Sequence, residues 1–453
     1  MIARARPDRS TARRWAYMPE FAQEQLPRYT SYPPANRFHG GIGHGAVAAA
    51  LGSLPAQSKV SLYVHIPYCQ KLCWYCGCHT SVPTQADPVD SYVDALEAEI
   101  SQVAALLPAD ARVSHLHFGG GSPDILTPAQ IDRLFAALRR SFAFARYAEI
   151  ATESDPRGLS PDVISAFARN GLSRASLGVQ VLDADVQQRI NRIQPRDSIE
   201  AAITGLRRAG VESINVDMMY GLPGQTLDHV VETATFAAMQ DVDRVAVFGY
   251  AHVPWMKKHQ KGIDTSELPE GEARFRQAEA AARTLEQAGY LPIGFDHFAA
   301  PGDSMATAER RGALRRNFQG YTDDDAIALI GLGASSISSL PGMIYQNVAD
   351  SGRYREAMAE RRSPVVRGVM LSDADRRVAH TIERLMCDFT VDLPDEWQQA
   401  PPSNLARVVE AGLAELSGRT LSVTAQGRPY VRNIAACFDP DLAPQAGRHS
   451  LAI

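Results

Sequence analysis

From Val60 onward the chain alternates short apolar, β-branched runs with longer stretches of helical period, the pattern of βα units wound around a parallel sheet. Strands are predicted over Val60–Ile66, Val113–Phe118, Ala148–Glu153, Arg174–Val179, Ser213–Met218 and Val245–Tyr250. Between them, Asp90–Leu107 is amphipathic, Thr127 and Pro128 supply a cap and a first-turn proline, Ser160 and Pro161 repeat that signal, and Asp197–Ala209 ends at Gly210. About six such units fall short of the eight that close a TIM barrel, so the fold class expected is α/β, a partial (β/α)6 TIM-like barrel. Gly119 to Gly121, Gln180 and Gly221 to Gly224 fall just after predicted strands, on the rim where parallel α/β proteins build their sites. After about Val365 the pattern turns helical. Ser372 caps a helix to about Cys387, a second helix covers Leu405–Leu416, and Thr420–Val423 before Gly427 makes a small wing, together a mostly helical, winged-helix-like domain. The division expected is a disordered tail over 1–26, an N-terminal segment over 27–59 packing near the active site, the barrel over 60–364 and the C-terminal domain over 365–453.

Composition changes this picture little. With 453 residues, 45% hydrophobic and 21% charged, the chain has the make-up of an ordinary globular protein with a sizeable core, and no uncharged apolar run approaches the ~18 residues of a membrane helix. Neither membrane insertion nor nucleic-acid binding is expected, because a net charge of −5 gives no general attraction to polyanions. Recognition of DNA by the C-terminal module is poorly supported too, with Glu410 and Glu415 against Arg407 on its second helix. Only five of the 46 basic residues are lysines (Lys59, Lys71, Lys257, Lys258, Lys261), which reads as coding bias. Arg4, Arg6, Arg9, Arg13 and Arg14 superficially resemble an organellar leader, but the Arg-rich, Pro-containing stretch reads more simply as a solvated end, and a cytoplasmic location is expected.

Candidate chemistry concentrates in one place. Four of the six cysteines, Cys69, Cys73, Cys76 and Cys78, fall within ten residues, directly after the first strand. A structural zinc site normally draws its ligands from two pairs on separate loops, and a thioredoxin-like site has no use for the two extra thiols. An iron–sulfur cluster explains more. Thiolates spaced by three and then two residues wrap three corners of a cubane, and the fourth iron then stays open to a small molecule.

The C-x3-C-x2-C spacing after the first strand of a βα array resembles the radical S-adenosylmethionine (SAM) superfamily. More of the chain points further. Pro27-Arg-Tyr-Thr-Ser-Tyr-Pro33, Tyr63-Val-His-Ile-Pro67, Cys78, His117-Phe-Gly-Gly-Gly-Ser-Pro123, Gly178-Val-Gln180, Asn191-Arg192, Tyr220-Gly-Leu-Pro223, Tyr250-Ala-His252, Asp296-His-Phe-Ala299, Asn317-Phe-Gln-Gly-Tyr-Thr322 and Arg432-Asn-Ile-Ala-Ala-Cys-Phe-Asp439 together resemble the oxygen-independent coproporphyrinogen III oxidase family.

That resemblance implies oxidative decarboxylation of two propionates of coproporphyrinogen III to vinyls, giving protoporphyrinogen IX in haem biosynthesis, by a 5′-deoxyadenosyl radical released from SAM. It implies a [4Fe-4S] cluster held by Cys69, Cys73 and Cys76, and two SAM per active site. Tyr63, Gly120, Glu153 and Ile337 match contacts to the SAM on the cluster. Tyr75, Gly121, Ser122, Gln180, Arg192, Asp217 and Ala251 match contacts to the second, and Tyr63 and Cys78 are the catalytic candidates. A monomer is implied, served by a low-potential electron donor such as flavodoxin or ferredoxin.

Plain chemistry agrees: glycines let backbone approach a ligand, Glu153 and Asp217 can bind ribose hydroxyls or an ammonium, and Arg192 can bind a carboxylate in bidentate fashion. Each also has a blander reading, since strand-end acids often cap helices and a lone arginine is usually an ion-pair partner. Tyr75 stands where the family commonly has Phe, and Ser122 where it frequently has Thr. The rival readings are a related radical SAM haem chaperone, whose relatives usually carry Phe at the position of Cys78 and lack the Pro27 to Pro33 segment, and a haem-modifying methyltransferase. Arg28, Arg315 and Arg316 are candidates to grip the propionates.

Overall fold

The computed structural model of the chain describes residues 15–83 and 87–442. A single twelve-stranded sheet forms its centre. In it β1 (Lys59–Ile66), β2 (Arg112–Gly120), β3 (Ala143–Ser154), β4 (Arg174–Gln180), β5 (Ser213–Tyr220) and β6 (Arg244–Gly249) run parallel in chain order. These are the six strands the periodicity predicts. A seventh parallel strand, Ala328–Leu332, pairs with the other side of β1, and the antiparallel strands Ile337–Leu340, Met343–Asn347 and Val365–Met370 continue from it. At the β6 edge, His297–Ala299 and Leu291–Ile293 add antiparallel. Because the two ends of the sheet do not pair, the barrel stays open.

The parallel strands are apolar because helices and lumen bury both faces; β1 is buried from Val60 through Ile66. Helix Pro128–Ser141 begins in a reciprocal cap between Thr127 and Gln130, and Pro161–Arg169 begins where Ser160 accepts the Val163 N–H. Helix Arg196–Arg208 stops before Gly210, whose φ of +85° is the left-handed geometry that glycine adopts without strain. Each helix therefore returns the chain to the same edge, and the C-terminal strand ends collect on one rim.

Three sequence expectations need correction. The sheet runs on to Met370, past the division drawn at 364/365. The helix expected over Leu405–Leu416 ends at Glu410, because Gly412 turns the chain at φ +72°, and Ala414–Ser417 instead pairs with Thr420–Val423, which also pairs with Thr390–Asp392. Residues 15–26 are no loose tail: Pro19–Ala22 is helical, and Phe21 and Leu26 are buried in the same apolar cluster as Leu385, Tyr430 and Ile434. The rest of the expected tail, residues 1–14, lies outside the described residues. No helix among the described residues is long and apolar enough to cross a membrane.

Candidate active site at the open rim of the sheet

Beyond Ile66 the chain leaves β1 in a loop whose base is closed by the Cys69 N–H on the Ser81 carbonyl and the Ser81 N–H on the Pro67 carbonyl, both 2.9 Å. Its crown is pinned through main-chain atoms. The Trp74 N–H reaches the Ile190 carbonyl at 3.0 Å, and Asn191 and Gln260 donate to the carbonyls of Leu72 and Tyr75 at 2.9 Å. Lys257 Nζ and His259 Nε2 meet the carbonyls of Cys78 and Cys76 at 2.9 and 2.8 Å. Held this way, Cys69, Cys73, Cys76 and Cys78 all line one cavity of about 690 Å³.

None of these thiols is in a disulfide, and every sulfur of the C-x3-C-x2-C set has a polar neighbour. Thr80 Oγ1 lies 3.1 Å from Cys69 Sγ, Arg157 and Arg192 each donate to Cys73 Sγ at 3.3 Å, and the Cys78 N–H donates to Cys76 Sγ at 3.3 Å. Donors to sulfur suit thiolates on an electron-rich cluster. Among the described residues the one His/Cys/Asp/Glu set with all donor atoms within 4.8 Å of one another is His115, Glu149 and Asp323, so the three sulfurs do not form the compact set a single ion takes. A wider spread is what a multi-iron group calls for.

Next to the cysteines lies a floor without side chains. A Cβ on Gly119 would come within 2.9 Å of the Glu153 carboxylate, one on Gly120 within 2.6 Å of the His65 ring, and one on Gly121 within 2.4 Å of the Tyr68 carbonyl. Gly120 also sits at φ +111°, open only to glycine at low cost. Glu153 accepts from the Gly120 N–H at 3.2 Å and lies 3.1 Å from His117 Nε2; burial pushes its pKa up, but His117 and that N–H hold it below the usual carboxylate value. The Tyr63 ring stacks on His117 at 5.8 Å, and its hydroxyl lies 3.1 Å from His65 Nδ1. Burial pulls the His65 pKa down to about 4, so this imidazole is neutral at pH 7. Tyr63, Ile337 and Cys78 face a second cavity of about 620 Å³, which shares Cys78, Gly120, Glu153 and Asp217 with the first. The two form one hollow.

Tyr75, Gly121, Ser122, Gln180, Arg192, Asp217 and Ala251 all line the first cavity. Their side chains are not equally free. Arg192 is spent on three partners, Cys73 Sγ, Asp155 at 3.1 Å and the Gly178 carbonyl at 2.5 Å, and its Nε has none. The Ser122 hydroxyl donates to Asp124. Gln180 holds φ +67° at the end of β4, a non-glycine residue in the left-handed region that favours glycine. Asp217 accepts from Ser176 at 3.1 Å and Asn215 at 2.7 Å.

Burial, with Glu153 adding to it, raises the Asp217 carboxyl from 3.8 to about 6. Its charge therefore destabilises the ligand-free protein above that pH. Asp217→Asn is expected to stabilise the ligand-free protein by roughly 2 to 3 kcal/mol near pH 8, an advantage that shrinks as pH falls through about 6 and is gone below about 4. Thermal melts across that range measure it; a pH-independent difference would contradict the assignment.

Sequence reasoning missed Asp155 and Arg157, which share the Cys73 and Arg192 network, and Lys257, His259 and Gln260, which touch the cysteine loop only through its carbonyls. No spacing advertises such contacts. Arg28 and Arg316 reach a side pocket of the hollow, whereas Arg315 is exposed on the opposite face of its strand and lines none of the three cavities.

A family model described as the radical SAM superfamily matches residues 63–237, from β1 through the helix after β5. The oxygen-independent coproporphyrinogen III oxidase of Bradyrhizobium diazoefficiens is 44% identical over 442 residues, covering 96% of this chain and 98% of that protein. The chain belongs to the oxygen-independent coproporphyrinogen III oxidase family. The Escherichia coli oxidase is 39% identical over 430 residues, 93% of this chain and 94% of that one. The solved structure of Escherichia coli coproporphyrinogen III oxidase, described as a radical SAM enzyme, superposes with a TM-score of 0.87 at 38% identity, covering 92% of this chain and all of that one. As a radical SAM member of this oxidase family, the chain has a [4Fe-4S] cluster and SAM as its cofactors.

Proposed function

We propose that this oxidase converts coproporphyrinogen III to protoporphyrinogen IX without O2, acting as a cytoplasmic monomer in haem biosynthesis. The observation that carries the reading is the joint placement of the C-x3-C-x2-C sulfurs, the glycine floor and Glu153 around one hollow at the strand ends. Cys69, Cys73 and Cys76 are the residues to hold the cluster. Tyr63, Gly120, Glu153 and Ile337 bind the SAM beside it, while Tyr75, Gly121, Gln180, Arg192, Asp217 and Ala251 contact a second SAM, with Ser122 shaping that wall through Asp124. With cluster and SAM bound, the site would supply one-electron reductive cleavage of SAM, the source of a radical able to take a hydrogen atom from a substrate propionate.

The protein's own part is positional. Glu153, kept ionised by His117 and the Gly120 N–H, binds an ammonium or ribose hydroxyls; the glycine floor offers close backbone contact; Tyr63 and Cys78 flank the space where a propionate must lie. Each product needs two propionates, each of which loses one hydrogen atom to a radical, one CO2, and one electron to an acceptor. The expected result of anaerobic turnover is therefore one 5′-deoxyadenosine per CO2 and two of each per protoporphyrinogen. A ratio far below one would contradict the two-SAM scheme, and no CO2 at all would favour the chaperone reading.

The lysines bear on the electron donor. Lys71, Lys257, Lys258 and Lys261, four of the chain's five, lie on the cysteine loop or the segment bonded to it, beside exposed Trp255 and Met256. Coding bias accounts for scarcity but not for this placement. Exposed apolar and cationic side chains on the segments that carry or hold the cysteine loop suit a small acidic electron carrier, such as flavodoxin or ferredoxin. Lys258→Glu with Lys261→Glu is expected to slow reduction by such a carrier about tenfold at low salt, while reduction by dithionite is unchanged. Equal slowing with both reductants would remove the docking role.

A further inference from the structure

Beside the hollow lies a smaller pocket of about 200 Å³ whose walls carry Arg28, Arg274, Arg316 and Arg432. These come from four separate parts of the chain: the N-terminal segment, helix Gly271–Gln287, strand Arg315–Asn317 and helix Val431–Ala436. Facing the four guanidiniums is one carboxylate, Asp296, already engaged by His297 Nδ1 at 2.6 Å. Arg316 is the telling member. Its side chain is 5% exposed and clamped over the rings of Tyr321 and Phe295, yet Nε and Nη1 have no hydrogen-bond partner, with Asp296 3.9 Å away. Burying guanidinium nitrogens without hydrogen-bond partners is costly, so the site is built for an anion that arrives later. Burial lowers Arg28 and Arg274 from their ordinary values and brings Arg432 down to about 9, with neighbouring arginines adding to each shift.

Size and position define that anion. A pocket of about 200 Å³ is below the ~300 Å³ at which whole small-molecule sites begin, so it takes acidic ends and leaves the body of the ligand outside. It shares Arg28, Phe248, Gly249 and Phe318 with the main cavity, but no residue of the cysteine loop lines it. A carboxylate held here is next to the reaction space and outside it. Arginine forks match carboxylates in bidentate geometry.

We infer that this arginine pocket receives the propionate carboxylates of the substrate that the reaction leaves intact, and so sets which propionates face the radical. The two retained propionates sit on neighbouring pyrroles of the macrocycle, so one pocket can serve both. The inference rests on the coproporphyrinogen reading above.

The test measures binding of coproporphyrin III, the stable oxidised form of the substrate, and of its uncharged tetramethyl ester to anaerobically reconstituted enzyme with SAM. Arg316→Met is expected to weaken coproporphyrin III binding at least tenfold, leave ester binding and SAM binding as in the wild type, and leave the melting temperature of the ligand-free protein the same or higher. Arg28→Gln, at a side chain that donates to the Gly249 carbonyl at 3.3 Å, supplies a second variant with the same expected loss. If both variants bind coproporphyrin III as the wild type does, or lose the ester in equal measure, the pocket does not hold carboxylates. Wild-type turnover of coproporphyrinogen III alongside that result would overturn the pocket and keep the reaction; a wild type that neither binds nor converts the substrate would overturn both.

Discussion

Cys69→Ser, Cys73→Ser and Cys76→Ser are each expected to abolish the cluster, with iron and sulfide falling from about four of each per chain to near zero after identical anaerobic reconstitution, whereas Cys78→Ser keeps it. Serine is a poor ligand for these irons, and the pinned loop holds each of the three sulfurs in its own place. Cys78 differs in its contacts. Its N–H donates to Cys76 Sγ, its carbonyl accepts from Lys257 and its thiol also hydrogen-bonds with Cys76; serine preserves the two backbone contacts. Its side chain also borders both cavities together with Glu153 and Asp217. Turnover in Cys78→Ser is therefore expected to drop by about a hundredfold with full iron content, the scale of losing a group that acts at the reacting atoms. Loss of the cluster in Cys78→Ser alone, or four-thiolate ligation in the presence of SAM, would defeat the open-iron reading.

Arg192→Ala is expected to lower turnover about a hundredfold while iron content stays at the wild-type level. The side chain is buried, donating to Cys73 Sγ, Asp155 and the Gly178 carbonyl, so one residue ties Cys73 to the ends of β3 and β4. Losing a charge-assisted contact of this kind costs about 2 to 3 kcal/mol. Three thiolates remain to hold the cluster. Arg157, bonded to the same Asp155 and the same sulfur, keeps the acid neutralised, which is why the fold should tolerate the change. A role in the reaction and one in folding separate by measurement: the former predicts a changed cluster spectrum on adding SAM and partial recovery in Arg192→Lys, the latter only a lower melting temperature. Near-normal kinetics in Arg192→Ala would make it an ordinary buried ion-pair partner.

The sequence by itself determined the elements that local chemistry controls. β1 to β6 were legible because two-sided burial demands runs of apolar residues, and the first-turn prolines after Thr127 and Ser160 were legible because capping acts within four residues. The cysteine spacing, the glycine triplet and Glu153 were legible for the same reason, each being tied to the end of a strand. Where the deciding contact is long-range, the sequence was silent. Strands of three residues such as Leu291–Ile293 and His297–Ala299 are too short to carry a period, and Ala414–Ser417 is a strand because a partner across a glycine turn claims its backbone. Only the tertiary structure brought Lys257, His259 and Gln260 onto the carbonyls of the cysteine loop, turned Arg192 toward Cys73 and Asp155, and left Arg315 exposed. Only it gathered Arg28, Arg274, Arg316 and Arg432 around one carboxylate. An arginine in a sequence is a charge; whether that charge is paired depends on which distant carboxylates the fold brings near, and here Asp296 is the one lining the pocket.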